Sequence, residues 1–196
     1  MIAHIILGDE IHARPGATRA LGNRREITKM PDTLQRLFRC KAWADDELLT
    51  RLASIGDQSP ITGLAIKALS HSYIVDRIFA AHMEGRAHAY ASANADELPA
   101  LEELSADIRK SDREYIDYVS SLDRDRLAEQ IDFSFTDGAP GRMSREEMLM
   151  HVITHGIGHR GQVSALMLFN SVPPAKDGFT TYLHEAEAST RRRAVA

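Results

Sequence analysis

The stretch "MSREEMLMHVITHGIGHRGQVSALMLF", residues 143–169, sets His151, His155 and His159 at intervals of four along one helical pattern. Ser144 followed three positions later by Glu147 is the spacing of a capping box, which predicts a helix from about Ser144 to Phe169. At 3.6 residues per turn, Met148, His151, Val152, His155, His159, Gln162 and Leu166 fall on one face. A helix that should bury this face in a core therefore carries imidazoles on it. Residues four apart rise by only ~6 Å, so two successive imidazoles can converge on one ion. The alternative is that each is a core histidine bonded to a carbonyl or water, and desolvated neighbours then need separate partners.

A third ligand from another helix would turn a pair into a site. His71, mid-helix on the apolar stripe of a second predicted helix, is the leading candidate. His82 shares that stripe but lies three turns on, about 16 Å away, too far to serve the same ion. His4, His12, His88 and His184 read as solvated residues of loops or tails. Spacing leaves open whether His151–His155 or His155–His159 is the pair. Three neutral imidazoles suit Zn, Ni, Fe(II) or Cu, and three protein ligands leave a coordination position open.

Composition bounds the rest. The chain has 196 residues, 43% hydrophobic and 27% charged, which suits one soluble domain with a sizeable core. No apolar run approaches the ~18 residues of a membrane span, and "MIAHIIL" lacks the basic start of a secretory signal. A lone cysteine, Cys40, excludes an internal disulfide and fits a reducing cytoplasm, so a metal site must use histidine and carboxylate. A net charge of −4 argues against a nucleic-acid surface, and "RRR" at 191–193 reads as part of a solvated tail.

Punctuation marks three further helices. The first runs from about Thr33 to Ile55, with Asp32 at its cap and Gly56 beyond its end. The second runs from Pro60 to Glu84 between Ser59 and Gly85. The third runs from about Ala100 to Leu122, after the linker "ANADELP" (93–99). "IDFSFTDGAPG" (131–141) alternates and ends in turn residues, as a short strand or hairpin arm does. The expected fold is all-α: an antiparallel four-helix bundle over 32–185, with a long, partly extended connection before the last helix. Residues 1–31 read as a poorly ordered arm, with Met30 a candidate natural start, and 186–196 as a tail.

Several side chains carry two readings. Asp45 is a second-shell acceptor for a ligand imidazole, or a carboxylate reaching solvent. Arg160 could hold an anionic substrate group, or form a surface salt bridge. Gln162 could orient a ligand, or fill a polar corner. Trp43 and Cys40 read as packing residues. Met150, Ile153, Ile157 and Leu168 face away from the histidines, and Gly156, Gly158 and Gly161 would each weaken an isolated helix by up to ~1 kcal/mol. Both features predict a homodimer interface on that side, which a monomer in light scattering would refute.

Three segments together, "LFRCKAWADDELL" (37–49), "LSHSYIVDRIFAAHMEG" (69–85) and "HVITHGIGHRGQV" (151–163), resemble the DinB/YfiT-like superfamily and specifically its DinB branch. "PPAKDGFTTYLHE" (173–185) is similar to the end of that family's domain. The resemblance implies a four-helix bundle, often a homodimer, with a divalent metal, Zn or Ni foremost, held by His71, His155 and His159. His151 then becomes a packing or second-shell residue. The chain departs from the family pattern at Asp45, where Asn is usual. Relatives in the wider superfamily imply a reaction on a small-molecule substrate with a low-molecular-weight thiol or water, of a thiol-S-transferase or detoxification type. The other reading is a non-catalytic stress protein, induced by DNA damage, that binds metal or a small ligand.

Overall fold

A computed structural model describes residues 32–56 and 59–191 of the chain. The arm at 1–31, the end of the tail and the capping side chain of Asp32 lie outside the described residues. The elements run α1 (Asp32–Ile55), α2 (Pro60–Glu84), α3 (Leu101–Ser120), α4 (Arg124–Ala128), β1 (Gln130–Ser134), β2 (Pro140–Ser144), α5 (Arg145–Phe169), α6 (Phe179–Ala186) and α7 (Ala188–Arg191). No described helix is long and apolar enough to cross a membrane.

The boundaries follow local chemistry. Ser59 accepts a hydrogen bond from the Ile61 N–H ahead of Pro60 at the first helical position, which satisfies one orphan donor of α2. Gly85 ends that helix in the left-handed conformation, φ 66°, and returns its N–H to the carbonyls of the last turn. Ser144 and Glu147 form the predicted capping box reciprocally at the start of α5. The extended connection is an antiparallel hairpin, β1 against β2, with Ile131 opposite Met143 and Phe133 opposite Gly141. It is preceded by the one-turn helix α4, which the sequence pattern did not show because five residues are too few for a period. The helices α6 and α7 were missed for the same reason.

The four long helices pack in a ring: α1 touches α3 and α5, and α2 touches the same two. Side-chain pairs fix their senses. Phe38 stacks on Tyr115 while Asp46 meets Arg109, so α1 and α3 run antiparallel. Phe79 meets His151 while His71 meets His159, so α2 and α5 do the same. By contrast Arg77 pairs with Glu114 and Tyr118 reaches the Met83 carbonyl, so α2 and α3 run in one sense. Lys41 lies against Gly156 and Asp45 against Arg160, so α1 and α5 also run together. The expected antiparallel packing thus holds for α1 with α3 and for α2 with α5, while α2 with α3 and α1 with α5 run in one sense. The linker between α2 and α3 is long enough for the chain to travel back along α2 before α3 begins.

Two apolar clusters fill the interior. One holds Phe38, Phe79, Tyr115, Val119, Met148 and Val152; the other holds Leu48, Leu52, Leu69, Leu104, Val163 and Met167. Each such side chain contributes roughly 1.5–3 kcal/mol on burial. Between the clusters, on all four helices, lies a polar layer that sequence reading did not foresee. The Lys41 ammonium reaches Asp45 at 2.9 Å, Asp76 at 3.0 Å and Asp112 at 2.7 Å, and all four residues are buried. Arg160 adds a second cation, 3.1 Å from the other oxygen of Asp45 and 3.1 Å from Asp177.

Burial and crowding set the protonation of this layer. Burial pushes Asp76 up to about 6 and Asp112 up to about 7 despite the nearby ammonium. Asp45 is the exception: burial opposes its ionisation, but Lys41 and Arg160 together hold it below the usual carboxylate range. Gly156 is explained here too. A Cβ there would sit 3.3 Å from the Arg160 guanidinium and 3.5 Å from Lys41 Cε, so this glycine admits the cations and is no part of an outer interface. Ile153 is likewise corrected, being buried in the core, whereas Met150, Ile157 and Leu168 are exposed as expected.

Removing Lys41 leaves its carboxylate partners uncompensated, so Lys41→Ala should cost about 3–5 kcal/mol in urea unfolding at neutral pH. The cost should also depend on pH. A carboxylate with a raised folded pKa keeps a proton that the unfolded chain has released, so its contribution falls as pH rises from about 4 through about 7. Without the ammonium these values rise further. The deficit of Lys41→Ala against wild type should therefore be larger at pH 8 than at pH 5; an equal deficit would refute this account of the layer.

Candidate metal centre

His71 projects from the middle of α2, and His155 and His159 from successive turns of α5. One ring nitrogen from each lies within 4.8 Å of the others. His155 Nε2 and His159 Nε2 are 3.1 Å apart, and the His71 ring centroid lies 5.2 Å and 4.9 Å from theirs. Of the two possible pairs on α5, His155 and His159 are the ones whose ring nitrogens gather with that of His71. His151 sits one turn further, stacked on Phe79 at 4.6 Å and on His155 at 5.2 Å, and packs without joining the cluster.

Amide oxygens orient two of the rings. Gln162 Oε1 lies 3.0 Å from His159 Nδ1, and Asn94 Oδ1 lies 3.2 Å from His71 Nδ1. A carbonyl oxygen only accepts, so in each ring Nδ1–H donates, and in the neutral ring it is Nε2 that carries the lone pair. Gln162 stands where it was expected. Asn94 was missed: it belongs to the linker before α3, and only that segment's return along α2 brings it to His71. Ser92 Oγ accepts from the Asn94 backbone N–H at 3.0 Å and holds the turn.

The donor set fits a divalent transition ion. Burial lowers the pKa of His155 to about 4, with the neighbouring His159, His151 and His71 adding to the effect, so the ring is neutral near pH 7 as a ligand must be. At most one proton fits between the facing nitrogens of His155 and His159. His155 Nδ1 is buried and has no partner among the described residues, so no competing hydrogen bond ties this ring to a different orientation.

Two expected roles are corrected. Asp45 does not reach an imidazole, because both its oxygens are engaged by Lys41 and Arg160 in the interior. Arg160 is 3% exposed and bound to Asp45 and Asp177, so it offers nothing to an anionic substrate. Asp45 on α1 and Arg160 on α5 face each other across the packing of those two helices, which periodicity on a single helix did not distinguish. His88 is corrected as well. It is half-buried against His82, ring centroids 5.2 Å apart, with Nδ1 shielded from solvent. His184 is exposed on α6, Cys40 is buried, and Trp43 packs on Tyr182. His4 and His12 lie outside the described residues.

A cavity of about 580 Å³ opens beside the cluster, with His71, His159, Asn94 and Gln162 in its wall. The His71 and His159 imidazoles therefore stand at the end of a space large enough for a small molecule.

No curated protein and no solved structure matches the chain. A family model described as DinB family matches residues 30–190, a span that includes the three histidines and both orienting amides. The chain belongs to the DinB family.

Proposed function

We propose that the chain is a divalent-metal-dependent enzyme, with His71, His155 and His159 as ligands and a small thiol or water as the group it activates. A cluster of three imidazoles, two of them in the wall of an open cavity, carries this reading, because three protein ligands leave a position that a substrate can reach. A bound ion there supplies Lewis acidity, which favours the deprotonated form of a thiol or water at neutral pH. The chain's own part is to present neutral rings, fix two of them through Asn94 and Gln162, and hold α2 against α5. The four long helices are read as a bundle, and the exposed Met150, Ile157 and Leu168 as the face on which two copies pair. A thiol-S-transferase or detoxification reaction is the type proposed. The non-catalytic reading would be favoured by a sealed cluster, and the cavity beside His71 and His159 speaks against it.

Metal content of untagged protein, measured by mass spectrometry, tests the ligands. About one equivalent is expected in wild type and little in His71→Ala or His155→Ala, while Gln162→Ala should weaken affinity roughly 10–100-fold. Wild type that takes up neither Zn nor Ni would refute the site.

Turnover tests the chemistry. Metal-loaded protein should consume low-molecular-weight thiols in the presence of an electrophilic or ester substrate, and His155→Ala should not. Metal-loaded protein inert across a broad panel would leave metal binding alone.

A further inference from the structure

The cavity beside the histidines is a groove between α2 and α5, and its lining selects for a class of molecule. Leu64 and Ala68 on α2 face Leu166 and Phe169 on α5 across it. Leu64 is 53% exposed and Phe169 is 88% exposed, so large apolar surface stands in water where an apolar molecule could cover it. From His159 to Phe169 the α5 wall runs about 15 Å, long enough for an extended chain or a fused-ring body.

The polar groups on the same wall are biased in one direction. Among the described residues that line it, Lys67, one turn before His71, is the one lysine or arginine, and there is no Asp or Glu. The Lys67 ammonium makes no hydrogen bond or ion pair among the described residues. The oxygens of Asn94 and Gln162 are taken by His71 and His159, which leaves their NH₂ groups facing outward as donors. The wall thus offers a cation and donors to a ligand, and no carboxylate to repel an anion.

We propose that the groove binds an elongated apolar molecule bearing a single negative charge, such as a carboxylate, with the apolar body along Leu64, Leu166 and Phe169 and the charge on Lys67. This names the substrate class of the centre proposed above and rests on that reading for its catalytic meaning, though not for binding. The ligand lies so that its part nearest His71 and His159 is the part presented for reaction.

Calorimetric titration of the full chain with decanoate and with decan-1-ol, metal-free and zinc-loaded, is the test. Decanoate should bind more tightly than the alcohol. Lys67→Gln should weaken decanoate about fivefold, and Lys67→Glu roughly tenfold or more, with the alcohol unchanged. Ala165→Trp, a change at an exposed position of the wall, should block both ligands while leaving the fold intact by circular dichroism. Equal affinity for acid and alcohol, or no effect at Lys67, would overturn the anionic assignment. Binding that survives Ala165→Trp, or its absence because a second copy of the chain covers the groove, would overturn the groove itself. Zinc content of the same samples separates the two claims. Decanoate binding by protein that takes up no zinc upholds the groove and sinks the metal centre, whereas zinc uptake without decanoate binding does the reverse.

Discussion

One ammonium group, that of Lys41, ties together the four long helices. It comes from α1 and meets carboxylates of α1, α2 and α3, while Arg160 from α5 closes the layer through Asp45. A purely apolar interior could let neighbouring helices slip by a turn at modest cost. A layer that must place one cation among three buried carboxylates has far fewer acceptable registers, because a misplaced partner leaves a buried charge unpaired. Burial also makes the layer a poor source of net stability, so its role here is to specify the arrangement.

The histidine cluster inherits its geometry from that register. Gly156 leaves room for Lys41 of α1 and for the Arg160 side chain of α5 itself, and this close packing against α1 sets the rotation of α5 about its axis. With Arg160 turned inward toward α1, His155 and His159 are turned toward α2 and His71. The histidine face and the polar-layer face of α5 are thus adjacent stripes of one helix, interleaved from His155 to Gln162. A change on one stripe rotates the other.

Much of the fold was legible in the sequence. Period and capping gave the four long helices, because each is long enough to repeat its pattern and is bounded by Ser, Pro or Gly. The i, i+4 histidines and an apolar-face histidine on α2 pointed to the cluster, and resemblance to the DinB family chose His155 and His159 over His151. The polar layer was not legible. Lys41, Asp76 and Asp112 look like ordinary surface charges in sequence, since only the packing of four helices shows that they meet. Arg160 and Asp45 were misread for a related reason, as each lies at the edge of a stripe where a small rotation decides between groove and core. Asn94 was hidden by its setting, because a polar residue in an irregular linker carries no periodic signal.

The relative sense of α2 and α3 has a consequence for the order in which the molecule can be completed. A chain made from its N-terminus can form α1, α2 and the return segment early, which already sets Asn94 beside His71. The other two imidazoles arrive only with α5, after α3 and the hairpin have been made. Their meeting is a contact of long sequence separation, of the kind that forms late. The contacts of Lys41 with Asp45, Asp76 and Asp112 need only the first three long helices, whereas the three imidazoles can meet only once α5 has been made.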